Sequence, residues 1–314
     1  MTAFTRVLPG AVNNAGDNLA LFLKLASGEV LTAFRNKTAF EMYQRVRTIS
    51  AGRSVAFPMT GSLAARYVVP GETQIGQSMN HNEIVIGIDG ELLADAFVAS
   101  IDEAYAHWDV RAPITDAMGD ALAQAYDRNV ARNIVIAARS SNPVTGEFGG
   151  GTITAATVHT DASVLAASIY AAAQTLDEKF VGPEMRNCAL RPAQYYLAVQ
   201  RNDLINKDWD GRGSFADGTI QSVAGIKLMK SMNVPNSNDT ALTSIPAAYR
   251  RDYSVTRAIV WTPDAVGTVK LLELKMEAEY QIRQRGNYMV ASYAMGHGPL
   301  RMASAVELRN AAPV

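Results

Sequence analysis

Every second residue from Leu272 to Ile282 is apolar: Leu272, Leu274, Met276, Ala278, Tyr280 and Ile282, separated by Glu273, Lys275, Glu277, Glu279 and Gln281. Strict period two places alternate side chains on opposite faces of a strand. Residues 272–283 therefore predict a strand about twice the usual ~5–6 residues. Gly286-Asn287 predicts a turn, Tyr288–Met295 a returning strand, Gly298-Pro299 a second turn and Ala303–Leu308 a last strand. The closing segment thus reads as a long antiparallel sheet with one wet face and one face packed on a helix. The helix for that role spans 113–139. Pro113 suits a first helical position, Asp116 and Asp120 suit the positive end, and Ile114, Met118, Leu122, Ala125, Tyr126, Val130, Ile134 and Ala137 form its apolar stripe.

Two further patterns precede these. Residues 17–34 read as an amphipathic helix capped by Asp17, with Leu19, Phe22, Leu23, Ala26, Val30 and Phe34 on one side. Residues 50–82 are rich in Gly, Pro, Ser and Thr, with β-like pieces at Ser54–Phe57 and Ala65–Val69, and Glu83–Asp89 reads as a return strand. The result is a long hairpin. An isolated hairpin is marginal in water, and little flanking sequence is available to cover this one, so a neighbouring subunit is the expected surface. Residues 160–262 read as an α/β unit. Its helices are Asp161–Phe180 and Pro192–Ile205, its strands Asn187–Leu190, Ile226–Met232 and Arg257–Thr262, and its polar tips the loops Asn206–Gly218 and Pro235–Thr243.

The 314 residues carry a formal net charge of −1, with no clustered Lys and Arg of the kind that holds nucleic acid tightly. The single cysteine, Cys188, excludes a disulfide framework and is expected as a small buried thiol on its strand. The opening MTAFTRVLPGAVNN has no charged region followed by an apolar core, so no secretion signal is expected, and no run approaches the ~20 apolar residues of a membrane span. Candidate chemistry is thin. His81, His107, His159 and His297 lie in different segments without metal-ligand spacing, and Asp208-Trp209-Asp210 is a pair of loop carboxylates expected to be solvated. Gly149-Gly150-Gly151 does not complete a dinucleotide fingerprint, and no nucleophile elbow or phosphate loop is present. Gly296-His297-Gly298 therefore reads as a structural turn between strands. No catalytic, cofactor-binding or metal-binding residue is assigned.

LALFLKLASGEVLTAF (19–34), FPMTGSLAARYVVPGE (57–72), VIGIDGELLADAFV (85–98), DVRAPIT (109–115), AVGTVKLLEL (265–274) and YAMGHGPLR (293–301) resemble segments of tailed-phage major capsid proteins of the HK97-like fold, most closely those of T7-like podoviruses. The matches bracket nearly the whole chain; between Gly146 and Tyr253 only the order of elements agrees. The resemblance implies an α+β chain with an N-terminal arm (1–45), an extended loop (46–92), a peripheral domain (93–158 and 264–314, with the spine helix 113–139) and an axial domain (159–263). It implies self-assembly as hexamers and pentamers into an icosahedral head, through a procapsid built on a scaffolding protein in the host bacterial cytoplasm, which then expands. Further implied partners are a portal protein at one vertex, packaged double-stranded DNA held by weak non-specific contact, and a possible decoration protein on the outside. No membrane and no cofactor is implied, and no motif calls for the Lys–Asn cross-link of some capsids of this fold. Phe22, Lys24, Arg53, Phe57, Arg66, Tyr67, Glu72, Trp209 and Arg212 are the residues expected between subunits. Other readings are an encapsulin-like compartment shell, and a soluble α/β enzyme with its site in 160–262.

Overall fold

A computed structural model describes residues 38–67, 71, 73, 75–100, 111–200, 213–214, 219–220 and 222–311. In chain order the elements are β1 (Arg45–Thr48), β2 (Ser54–Thr60), β3 (His81–Gly87), β4 (Leu92–Ala99), α1 (Arg111–Arg139), β5 (Gly151–Thr154), α2 (Ala162–Glu178), β6 (Asn187–Leu190), α3 (Pro192–Val199), β7 (Gly213–Ser214), β8 (Thr219–Ile220), β9 (Ser222–Val223), β10 (Ile226–Lys230), β11 (Thr256–Trp261), β12 (Val266–Gln281), β13 (Gly286–Pro299) and β14 (Ala305–Arg309). The expected helix at 17–34 lies outside the described residues. The chain divides into two units, one holding 92–123 and 274–293, the other 38–91, 124–273 and the residues from 294 on.

In the first unit β4 pairs antiparallel with β13, from Ala99 opposite Gly286 to Leu92 opposite Tyr293. The strand predicted from alternation is present in β12, with Met276 buried and Lys275 and Glu277 exposed. Its turn is placed differently from the expectation. Residues 282–285 make the turn, with Arg285 at φ 52°, and Gly286 opens β13. Gly286 is needed for close approach instead: a Cβ there would lie 2.4 Å from Phe97 Cζ and 2.5 Å from Val98 O.

The second unit is built on a six-stranded sheet of order β5-β14-β11-β6-β10-β9. Strands β6 and β10 run parallel, β11 runs antiparallel to β6 and β14, and β14 runs parallel to β5. Helix α2 is capped by Asp161, whose Oδ1 accepts from Ser163 N at 2.8 Å. Leu165, Ile169 and Leu176 of α2 form one core with Cys188, Leu190, Ile226, Val260, Val306 and Leu308. The last strand was expected to extend the long antiparallel sheet; it joins this sheet instead. Leu300 N and Arg301 N bond to Ala265 O and Asp264 O, a 3₁₀ turn at Met302–Ser304 re-aims the chain, and residues 305–308 are then buried on both faces as in an interior strand. The expected strand at Ala65–Val69 is not formed at 65–67, and α3 ends at Val199 rather than Ile205. The loop read as a polar tip at Pro235–Thr243 folds back: Asp239 is buried, pairs with Arg132 at 2.8 Å and accepts from Ser237 Oγ at 2.6 Å.

Candidate assembly site at the foot of the hairpin

The hairpin runs in register from Ser54 opposite Gly87 to Thr60 opposite His81. Alternation divides it into an outer face of Ser54, Ala56, Pro58, Thr60, Glu83 and Val85 and an inner face of Val55, Phe57, Met59, Ile84 and Ile86. The inner face is half-buried on its own chain. Ser62 N donates to Glu147 Oε1 at 2.6 Å, Asn80 Nδ2 to Thr145 O at 3.1 Å and Asn82 Nδ2 to Pro143 O at 2.7 Å. The surface that sequence reasoning assigned wholly to a neighbour is thus supplied, for β2 and β3, by residues 142–147. Beyond Gly61, whose N–H donates to Asn80 O, the tip has little cover. Leu63, Tyr67 and Ile75 are exposed, Tyr67 fully.

At the foot, Ile88 N bonds to Arg53 O and Asp89 N to Met295 O. The Tyr249 hydroxyl donates to Asp89 Oδ2 at 2.5 Å and accepts from His297 N at 3.0 Å. Burial pushes the Asp89 carboxyl up to about 6, against the lowering pull of the Tyr249 hydrogen bond. Here Gly296-His297-Gly298 corrects the sequence reading: it is no turn but the buried end of β13. The two glycines serve the crossing of strand and hairpin. A Cβ on Gly296 would lie 2.1 Å from Gly87 O, and one on Gly298 would lie 2.8 Å from Ile86 Cγ1. His297 is 5% exposed, sits edge-on to Tyr126, and has Nδ1 2.8 Å from Thr268 Oγ1. Thr268 gives its one hydroxyl proton to Gln44 Oε1 at 2.8 Å, so His297 donates from Nδ1. Burial, aided by Lys270, pushes the imidazole down to about 3, which keeps it neutral. It is a core hydrogen-bonding group.

Three buried charged groups that sequence reasoning passed over hold the neighbouring elements. Asp127 on α1 accepts from the N–H of Ala39 at 2.9 Å and of Phe40 at 3.3 Å, with its carboxyl pushed up to about 6 by burial. Glu307 on β14 takes a two-pronged bond from Arg139 at 2.6 and 2.7 Å. Asp239 takes Arg132. The signal was present for Asp127, which lies one residue after Tyr126 and three before Val130 on the predicted stripe.

Of the residues expected between subunits, the structure brings Arg53 to the hairpin foot and Phe57 to its inner face, under the Arg47 guanidinium at 5.8 Å. Arg66 and Tyr67 are on the tip, where Arg66 Nη2 donates to Ile75 O at 2.7 Å. Phe22, Lys24, Glu72, Trp209 and Arg212 lie outside the described residues, as does Asp208-Trp209-Asp210. Among the described residues no group of His, Cys, Asp and Glu is placed to hold a metal ion, and no described helix is long and apolar enough to cross a membrane.

Comparison with known proteins shows the family of the chain. The family model described as Gp10A-like major capsid protein matches residues 56–309. The chain belongs to this family. It is 31% identical to the major capsid protein of Escherichia phage T7, over 93% of this chain and 92% of that one. Among solved structures it resembles the capsid of cyanophage P-SCSP1u, with a TM-score of 0.80 and 40% identity, covering 97% of this chain and 99% of that one. The mature capsid of bacteriophage PhiM1 shares the fold, with a TM-score of 0.74 and 16% identity over 98% and 92% of the two chains. The Gp10A-like chain is therefore an α+β capsid subunit of the HK97-like fold, a structural protein of the virion that associates with copies of itself. The reading of 160–262 as an enzyme lobe falls with that membership.

Proposed function

We propose that this capsid subunit assembles as hexamers and pentamers into an icosahedral head, with the hairpin tip at 63–79 reaching across a neighbouring copy. The observation that carries the reading is the division of the hairpin: its strands are tied down by Glu147, Thr145 and Pro143 of their own chain, while Leu63, Tyr67 and Ile75 beyond them are exposed. Apolar side chains held out on a fixed hairpin are what a head-to-tail ring contact needs. In this reading residues 1–45 are the arm, 46–92 the extended loop, 93–158 with 264–314 the peripheral domain and 159–263 the axial domain, with Trp209 and Arg212 near the capsomer axis. Assembly proceeds on a scaffolding protein to a procapsid that expands, one vertex takes a portal protein, and a decoration protein is a possible outer partner. The formal charge of −1 supports weak, non-specific contact with the packaged double-stranded DNA, since a container that gripped phosphates would oppose their release.

The test is replacement of residues 63–79 by a short Gly-Ser turn, in the full-length chain co-produced with the scaffolding protein of its phage. The shortened chain is expected to stay folded and soluble yet form no closed particles. Closed particles from it would remove the tip from assembly.

A further inference from the structure

The foot of the hairpin is seated by shape as well as by hydrogen bonds. Ile86 is the one buried residue of β3, 2% exposed between an exposed Val85 and an exposed Gly87. It rests on two glycines of β12 and β13. For a Cβ built on Gly298 the three nearest atoms are all from Ile86: Cγ1 at 2.8 Å, Cδ1 at 3.2 Å and Cγ2 at 3.5 Å. A Cβ on Gly267 would meet Leu300 Cδ1 at 2.7 Å and Ile86 Cδ1 at 3.2 Å. The glycines thus form a notch, and Ile86 is the knob that fills it. We infer that this knob and notch set the direction in which the hairpin leaves its own subunit, so that the side chains at 86 and 298 together decide whether the tip is presented to a neighbouring copy. The inference rests on the shell-subunit reading above.

The lever is favourable. Asp89, tied to Met295 O and Tyr249, fixes the chain three residues from Ile86. The far ends of the strands, at Thr60 and His81, lie five residues beyond it. At ~3.4 Å per residue those spans are about 10 and 17 Å, so a shift of about 1 Å at Ile86 moves the strand ends by about 3 Å. That is enough to break the exposed hydrogen bonds of Ser62, Asn80 and Asn82 to residues 143–147, which now measure 2.6–3.1 Å. Ile86 and Gly298 are positioning residues: neither needs to touch a neighbour.

The test is a size swap in the full-length chain, co-produced with the scaffolding protein, with closed particles counted by electron microscopy and sedimentation. Gly298→Ala, which overpacks the seat, is expected to reduce closed particles about tenfold while the soluble subunit keeps its melting temperature within a few degrees. Ile86→Ala, which empties the seat, is expected to reduce particles too, and to speed proteolysis of the hairpin. In the G298A background, however, I86A removes all three of the nearest atoms, the clashing Cγ1 among them, and is expected to raise the particle count. The same substitution thus harms one background and helps the other, a reversal that two independent losses of stability do not give, and unchanged melting temperatures separate it from a coupled loss of stability. Should G298A fail to fold, I86A alone decides: normal particles and unchanged hairpin proteolysis overturn the inference. Normal particles from G298A, or a double variant no better than G298A, also overturn it. The unsubstituted chain and the tip-shortened chain separate the two claims. If the first assembles, the second does not, and G298A assembles normally, the notch fails and the shell reading stands. If the first makes no particles, the shell reading fails; if the second makes them, the shell reading stands and the tip, and with it the notch, has no part in assembly.

Discussion

Arg139 ends α1 and reaches the last strand. Its Nε and Nη2 donate to Glu307 at 2.7 and 2.6 Å, and its Nη1 donates to Asp252 O at 2.6 Å. Glu307 is fully buried on β14 and accepts once more, from Thr256 Oγ1 at 2.6 Å. Arg139→Met keeps the packing of the stem but leaves a carboxylate in the interior with one neutral partner. Breaking a buried pair from one side costs about 3–5 kcal/mol. With a urea dependence near 3 kcal/mol per molar, the upper end of the range for small proteins, the unfolding midpoint should fall by roughly 1–1.7 M. The assay is urea unfolding of the unassembled full-length chain, followed by tryptophan fluorescence, with Trp261 of β11, 1% exposed, as the buried reporter. The double variant R139M/E307M removes both charges and should recover about 2 kcal/mol or more of that loss, since neither charge is then stranded. A cost under about 1 kcal/mol for R139M, or a double variant worse than the sum of the singles, would refute the claim that this pair is a desolvated tie.

Three further outcomes follow from the same geometry. Asp127 has a folded pKa of about 6 against an ordinary value of 3.8, so the folded chain binds more protons than the unfolded chain between these values; stability should rise as pH falls from about 7 to 4, and D127N should flatten that rise, by at most about 3 kcal/mol, in melts across the range. His297→Ala empties a buried site and strips Thr268 of a partner, so it should cost about 2–4 kcal/mol, while the bonds of Tyr249, which run to the backbone of 297, survive and particles still form below the lowered melting temperature; an unchanged melting temperature would contradict this. Cys188 is fully buried, with its thiol pushed up to about 12 by burial, so a disulfide-exchange reagent should find no thiol in the folded chain and one after denaturation.

Periodicity carried the parts of the fold in which one face is wet. The alternation around Met276, the stripe of α1 and the helix expected at Asp161–Phe180, found at Ala162–Glu178, all appear where the pattern places them. Asn187–Leu190 was legible to the residue, a short apolar run between polar neighbours. The misreadings share a cause: the decisive partner was distant in sequence. Gly298-Pro299 and Gly286-Asn287 carry turn residues, yet Gly298 makes room for Ile86 and Gly286 for Phe97, contacts no local pattern contains. The sheet chosen by β14 depends on pairing with β5 and β11, about 155 and 50 residues away. The assembly site was legible only as an uncovered hairpin. How much of it lies on its own chain depends on the polar loop at 142–147, whose hydrogen bonds from Ser62, Asn80 and Asn82 leave no trace in composition.

The central claim is that this subunit closes into a shell with copies of itself. It is tested most directly by electron microscopy, with sedimentation of the same sample, of the full-length chain co-produced with the proposed scaffolding protein. The account predicts closed, uniform particles of several hundred ångströms. A monodisperse monomer or dimer under those conditions would contradict it.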